Sequence, residues 1–127
     1  MEGKIKIAIA GLGNCASSLV QGIEYYKKND TPEGLMHQRV GPYAVADISV
    51  VAVFDVDKRK VGRDVADAVF SEPNCTKKLS DVPKTGVLVA RGPVLDGIAE
   101  HMRDVFLVDE SQKEADVANI LRITGAQ

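Results

Sequence analysis

The chain has 127 residues, enough for one domain with a modest core. Its net charge is −2, aromatics are 5% and Trp is absent, so no basic block or stacking surface points to a nucleic-acid partner. Cys15 and Cys75 are too few for a disulfide framework, and His37 and His101 show no metal-ligand spacing with each other or with either cysteine, so no metal site is expected. No apolar run approaches the roughly 20 residues of a membrane span. Lys4 and Lys6 interrupt the apolar N-terminus, which argues against a signal peptide. A reducing, cytoplasmic setting is expected.

Residues 4–10, "KIKIAIA", end as a continuous small, apolar run and predict a strand buried on both faces. Gly11 and Gly13 end it, and Asn14 is placed to cap a helix. Ala16, Leu19, Val20 and Ile23 recur at helical spacing, which predicts that helix over 14–28. The turn residues "NDTPEG" stop it and open an insert over about 29–46. The β-branched run "ISVVAVFD" predicts a second strand over 48–55. Val61, Val65, Ala68 and Val69 predict a second helix over 56–70. A loop over 71–86 leads to a short third strand, 87–90, and to "RGP". Helices are expected over 95–104 and 110–125, the last ending at Gly125, while 105–109 reads either way. The order βαβαβα implies a single α/β domain spanning 1–127. Its sheet is parallel and Rossmann-like, with helices on both faces.

The string "GLGNCA" fits the G-x-G-x-x-A pattern and lies between that first strand and first helix. Gly11 allows a tight turn, Gly13 lets a pyrophosphate approach the backbone, and Ala16 permits close helix–strand packing. The free N–H groups at the start of the helix then face the phosphates. An acid at the end of the second strand completes such a site by accepting from ribose hydroxyls and repelling a 2′-phosphate, which favours NAD over NADP. Asp55 holds that position, with Asp57 as a rival whose simpler role is to cap the second helix. The insert stretches the glycine-to-acid spacing to roughly twice the usual ~20 residues. Cys15, at a helix start, is either a reactive thiol or a small residue packed beside a ligand. Lys58, Arg59 and Lys60 are either the solvated start of a helix or a flank to the adenine end of the cofactor.

Together, "GLGNCASSLVQGIEYY", "GLMHQRVGPYAVADISVVAVFDVDKRKVG", "EPNCT" and "RGPVLDGI" resemble the inositol-phosphate synthase family, in its bacterial and archaeal branch. The resemblance runs over nearly the whole chain, and the unusual insert is part of it. It implies conversion of glucose 6-phosphate to inositol 1-phosphate, a step of inositol and phospholipid biosynthesis. A recycled NAD oxidises the sugar, an enolisation and an aldol closure come next, and the hydride returns. It also implies Gly11, Leu12, Gly13, Asn14 and Cys15 at the pyrophosphate, Asp55 at the ribose, and Arg91 and Gly92 beside the cofactor. Family enzymes are homotetramers, far longer than 127 residues, and their catalytic lysines belong to a later domain. No catalytic residue is therefore assigned here, and residues 1–127 alone are expected to be inactive.

In a sheet of order 3-2-1-4-5-6, residues 1–127 supply only strands one to three. The first strand then becomes an edge, which predicts self-association or pairing with a chain that carries the remaining strands. Glucose 6-phosphate becomes a ligand only when the catalytic part is supplied. The alternative function is a nucleotide-binding or regulatory module without cyclase activity.

Overall fold

The computed structural model describes residues 5–95 and 97–127. Lys4 of the expected first strand and Asp96 of the expected helix over 95–104 lie outside them. The chain enters through strand β1 (Ile5–Ala10) and turns at Gly11 into helix α1 (Asn14–Lys28). Val20 and Ile23 bury one face of α1, but Leu19 remains 47% exposed, so the apolar stripe is narrower than its spacing suggests. Lys27 and Lys28 sit in the last turn, where the helix dipole favours cations. Asn29 ends the helix by donating its N–H and its side-chain amide to the Tyr25 carbonyl.

The insert is ordered. Strands β2 (Arg39–Val40) and β3 (Tyr43–Ala44) pair antiparallel, and a 3-10 turn over Val45–Asp47 comes after them. Asp47 Oδ2 accepts the Ala44 N–H at 2.8 Å and delivers the chain into strand β4 (Ile48–Asp55).

β4 is central in a parallel sheet of order β1-β4-β5, where β5 is Ala90–Arg91. β1 pairs with it from Ile5↔Ile48 to Ala10↔Phe54, with one irregularity between Ile7 and Ala8. The fold is thus α/β with a parallel sheet, as the alternation of elements implies.

The second helix shrinks to α2 (Val65–Ala68), capped by Asp64, whose carboxylate accepts the Ala66 N–H. The reason lies upstream. Gly62 adopts φ +81°, and its N–H donates to Val89 O at 2.8 Å. Val89 N–H returns to Arg63 O and Val65 N–H donates to Val87 O, both at 2.9 Å. Residues 62–65 therefore run against 87–89 instead of coiling, and only Ala90–Arg91 remain to extend the parallel sheet. Val61, Val65, Ala68 and Val69 still reach the core, beside Ile9, Leu12, Val20, Val53 and Val89.

The loop over 71–86 is tied along α1 by polar residues spaced two turns apart. Asn14 accepts from Cys75 and Thr76, Gln21 accepts the Leu79 and Ser80 N–H groups, and Lys28 donates to Asp81 O. The helix expected over 95–104 reduces to a 3-10 turn at Glu100–Met102. The ambiguous stretch beyond it bridges the end of β4: Lys58 N–H donates to Leu107 O at 2.7 Å and Asp109 N–H to Val56 O at 2.8 Å. Helix α3 (Val117–Thr124) is capped by Asp116 and closed by Gly125 at φ +67°. Gln127 then meets the outer edge of β1, its N–H donating to Lys6 O at 2.9 Å. Among the described residues no helix is long and apolar enough to cross a membrane.

Candidate functional site

At the end of β1 the chain must turn sharply over the sheet. Gly11 does so at φ +89°, a region that L side chains avoid, and donates its N–H to Phe54 O at 2.8 Å. Leu12 is fully buried in the core. Its N–H donates to Asp55 Oδ2 at 2.7 Å, and its carbonyl accepts Lys60 Nζ at 2.8 Å and Asn74 Nδ2 at 3.1 Å. Gly13 is the residue before α1, in extended backbone at φ −85°. Among the described residues nothing lies within 4 Å of where its Cβ would be.

Asp55 ends β4 beside this turn. Its Oδ1 accepts the N–H groups of Val56 at 2.7 Å and Asp57 at 2.9 Å. Three of a carboxylate's roughly four acceptor positions are thus occupied within the chain, leaving one directed elsewhere. Gly11, Gly13, Asp55, Lys60 and Gly92 line one cleft of about 670 Å³, whose remaining wall is apolar, with Phe54, Phe106 and Val117. That volume lies within the range of small-molecule sites.

The other expected residues are placed differently. Leu12 turns its side chain inward, and its backbone polar groups are satisfied within the chain. Asn14 directs its side-chain oxygen to the N–H of Cys75 at 2.8 Å and to Thr76, fixing the loop instead of facing the cleft. Cys15 and Cys75 are both free and exposed, and neither lines the cleft. Arg91 pairs with Glu114 at 3.2 Å, and its carbonyl accepts the Ala115 N–H at 2.8 Å, which secures the segment entering α3. Gly92 is buried against β4, where a Cβ would stand 3.4 Å from that of Phe54.

Asp57, the rival acid, is fully buried and does not line the cleft. It accepts from the Arg59 backbone and guanidinium and from Leu107 N–H. No helix starts there for it to cap. Asp64 performs that role.

Lys60 also departs from the solvated-helix expectation. It is 2% exposed, and its ammonium bonds Leu12 O and Asn74 Oδ1, each at 2.8 Å. Burial lowers its pKa below the ordinary lysine value, against the pull of Asp55 and Asp57. Asn74 completes the network by donating to Val69 O as well as to Leu12 O. The sequence marks neither the burial of Lys60 nor the reach of Asn74. Among the described residues no three His, Cys, Asp or Glu side chains stand together as metal ligands.

No family profile matches the chain. Curated proteins do resemble it. Inositol-3-phosphate synthase of Mycolicibacterium smegmatis is 50% identical over 123 residues, covering 94% of this chain and 34% of the relative. The enzyme of the same name from Corynebacterium glutamicum is 55% identical over 113 residues, covering 87% and 31%. The crystal structure of Ari2 superposes with a TM-score of 0.74 at 32% identity, over 97% of this chain and 36% of that one. A myo-inositol-1-phosphate synthase-related protein of Thermotoga maritima gives a TM-score of 0.51 at 24% identity, over 80% and 28%, which speaks to the fold alone. The chain spans about a third of the length of the curated relatives it matches. It is homologous, over that third, to the inositol-3-phosphate synthase family.

Proposed function

We propose that the cleft binds NAD and that the chain is the NAD-binding part of an inositol-phosphate synthase, which turns glucose 6-phosphate into inositol 1-phosphate. The observation that carries this reading is the placement of Asp55. Its carboxylate touches the glycine turn at Leu12 N–H and shares the cleft with Gly11, Gly13 and Gly92. The pyrophosphate would lie over Gly13, where the chain leaves the Cβ position open, at the positive end of α1. The free acceptor position of Asp55 would take a ribose hydroxyl, and the apolar wall would exclude water. Bound there, NAD supplies the oxidation and the returning hydride of the cyclisation.

Among the described residues, Asp55 and Lys60 are the ionisable side chains on this cleft, and both are committed to holding the turn. Acid–base work on the sugar is therefore not assigned to the described residues of this cleft. For the chain taken by itself, that commitment favours nucleotide binding without cyclisation.

Calorimetry tests the reading. Wild-type chain is expected to bind NAD at least about tenfold more tightly than NADP, and Asp55→Asn to lose most of that preference. Equal affinities for the two cofactors in the wild type would remove Asp55 from the ribose. Inositol phosphate formed by the purified chain would refute its assignment as a binding part.

We also propose that the outer edge of β1 joins another chain. β4 covers its inner edge, and Gln127 meets the outer edge at Lys6. An apolar edge strand of this kind offers unpaired backbone groups. Sedimentation should show an association that grows with concentration and weakens when Ala8→Pro removes a donor from β1. A strictly monomeric wild type would overturn it.

A further inference from the structure

We propose that Lys60 is a positioning residue for the glycine turn and that its buried ammonium is the positive charge that receives an anionic group in the cleft. The proposal rests on the cofactor reading and extends it to a residue outside the glycine pattern.

Leu12 O is the fixed point of the turn, and two donors grip it: Lys60 Nζ at 2.8 Å and Asn74 Nδ2 at 3.1 Å. Asn74 Oδ1 takes a second ammonium proton at 2.8 Å. An ammonium carries three donors. Two are spent on Leu12 O and Asn74 Oδ1, and Lys60 also lines the cleft, so a third donor is left for an anion bound there. A lysine this deeply buried is costly unless its charge is used. Asp55 and Asp57 face it with opposite charge and Arg59 with like charge. Asp57 is already paired with Arg59 at 2.7 Å, which leaves the Asp55 carboxylate, itself holding three N–H groups, as the charge that faces Lys60. An incoming pyrophosphate thus meets an ammonium that it shares with Asp55.

The two roles differ in sign with pH. Burial lowers the folded-state pKa of Lys60, so raising the pH relieves the cost of burying a charge and adds stability. The same loss of the proton removes the anion's partner and weakens binding. A purely structural lysine would show the first effect without the second.

The test titrates NAD into the full chain between about pH 7 and pH 9.5, below the ordinary lysine pKa. Wild-type affinity should fall across that range, while Lys60→Met should bind about tenfold more weakly or worse at neutral pH and show no such fall. Amide exchange, read without NAD, should quicken at Leu12 in both Lys60→Met and Asn74→Ala, which guards against one variant failing to fold. Parallel pH profiles in wild type and Lys60→Met, or unchanged exchange at Leu12, would overturn the proposal. Faster exchange at Leu12 with no NAD binding by the wild type would instead refute the cofactor reading and leave the anchoring of the turn standing.

Discussion

Asp57→Ala is expected to destabilise the chain by about 2–3 kcal/mol, read as a lower urea midpoint with an unchanged slope. The carboxylate is fully buried and accepts four hydrogen bonds: the Arg59 N–H and Nε at 2.9 Å, Arg59 Nη2 at 2.7 Å and Leu107 N–H at 3.2 Å. Removing it leaves the guanidinium with Val105 O and the exposed Glu72, and takes the side-chain acceptor from Leu107 N–H at the bridge between the end of β4 and residues 105–109. The loss stays below the ~3–5 kcal/mol of a fully buried pair because the Arg59 side chain is 25% exposed and water can replace part of the bond. Asp57→Asn should cost less, since it keeps an acceptor. The same residue gives an acid signature. Burial alone would raise the Asp57 pKa, but the bonds from Arg59 and Leu107 outweigh it and hold the carboxyl below its ordinary value. Asp64 is held low in the same way, its burial outweighed by Ala66, Thr85 and Gly86. A folded-state pKa below the unfolded value of about 4 means the stabilisation is complete above that pH and lost below it. The urea midpoint should therefore hold from neutral pH down to about 5 and fall below about 4, less steeply in Asp57→Asn. An identical acid slope in wild type and Asp57→Asn would show that Asp57 does not carry it.

The elements that read cleanly in the sequence are those whose signal is local. α1 spans Asn14–Lys28 and β4 spans Ile48–Asp55, as expected, because α1 carries a periodic apolar pattern bounded by turn residues and β4 a run rich in β-branched residues. The helix expected over 56–70 fails although Val61, Val65 and Val69 stand at ideal helical spacing. Their spacing implies burial, and burial is satisfied with a helix of only four residues. The backbone between them is claimed by residues 87–89, a pairing set by chain far away in sequence. The site divides in the same manner. Gly11, Gly13 and Asp55 announce themselves by position relative to strands. Lys60 does not, because a lysine within "KRK" carries no mark of burial until Leu12 O and Asn74 meet it, and Leu12 lies 48 residues from Lys60 and 62 from Asn74. Asn74 sits inside "EPNCT", a string that marks the resemblance without suggesting a contact.

Gly13→Ala should leave the fold intact and abolish most cofactor binding. At φ −85° an alanine meets no backbone strain, and its Cβ meets no atom of the described residues within 4 Å. Less entropy lost by alanine on folding is offset by its poorer fit as the residue before a helix, so stability should move by less than about 1 kcal/mol. NAD affinity, by contrast, should fall by on the order of 100-fold, because the added methyl occupies the approach that a pyrophosphate needs. Gly11→Ala is the control with the opposite balance. Its Cβ also meets nothing among the described residues, but φ +89° forces a side chain into a disfavoured region, at a cost of about 1–2 kcal/mol before any ligand is considered. On the proposed reading, the two glycines of this turn serve different ends, Gly11 the backbone and Gly13 the approach of the ligand. Urea denaturation and NAD calorimetry on the two variants separate the two. Undiminished NAD binding by Gly13→Ala would remove the pyrophosphate from the turn, whatever the family relationship suggests.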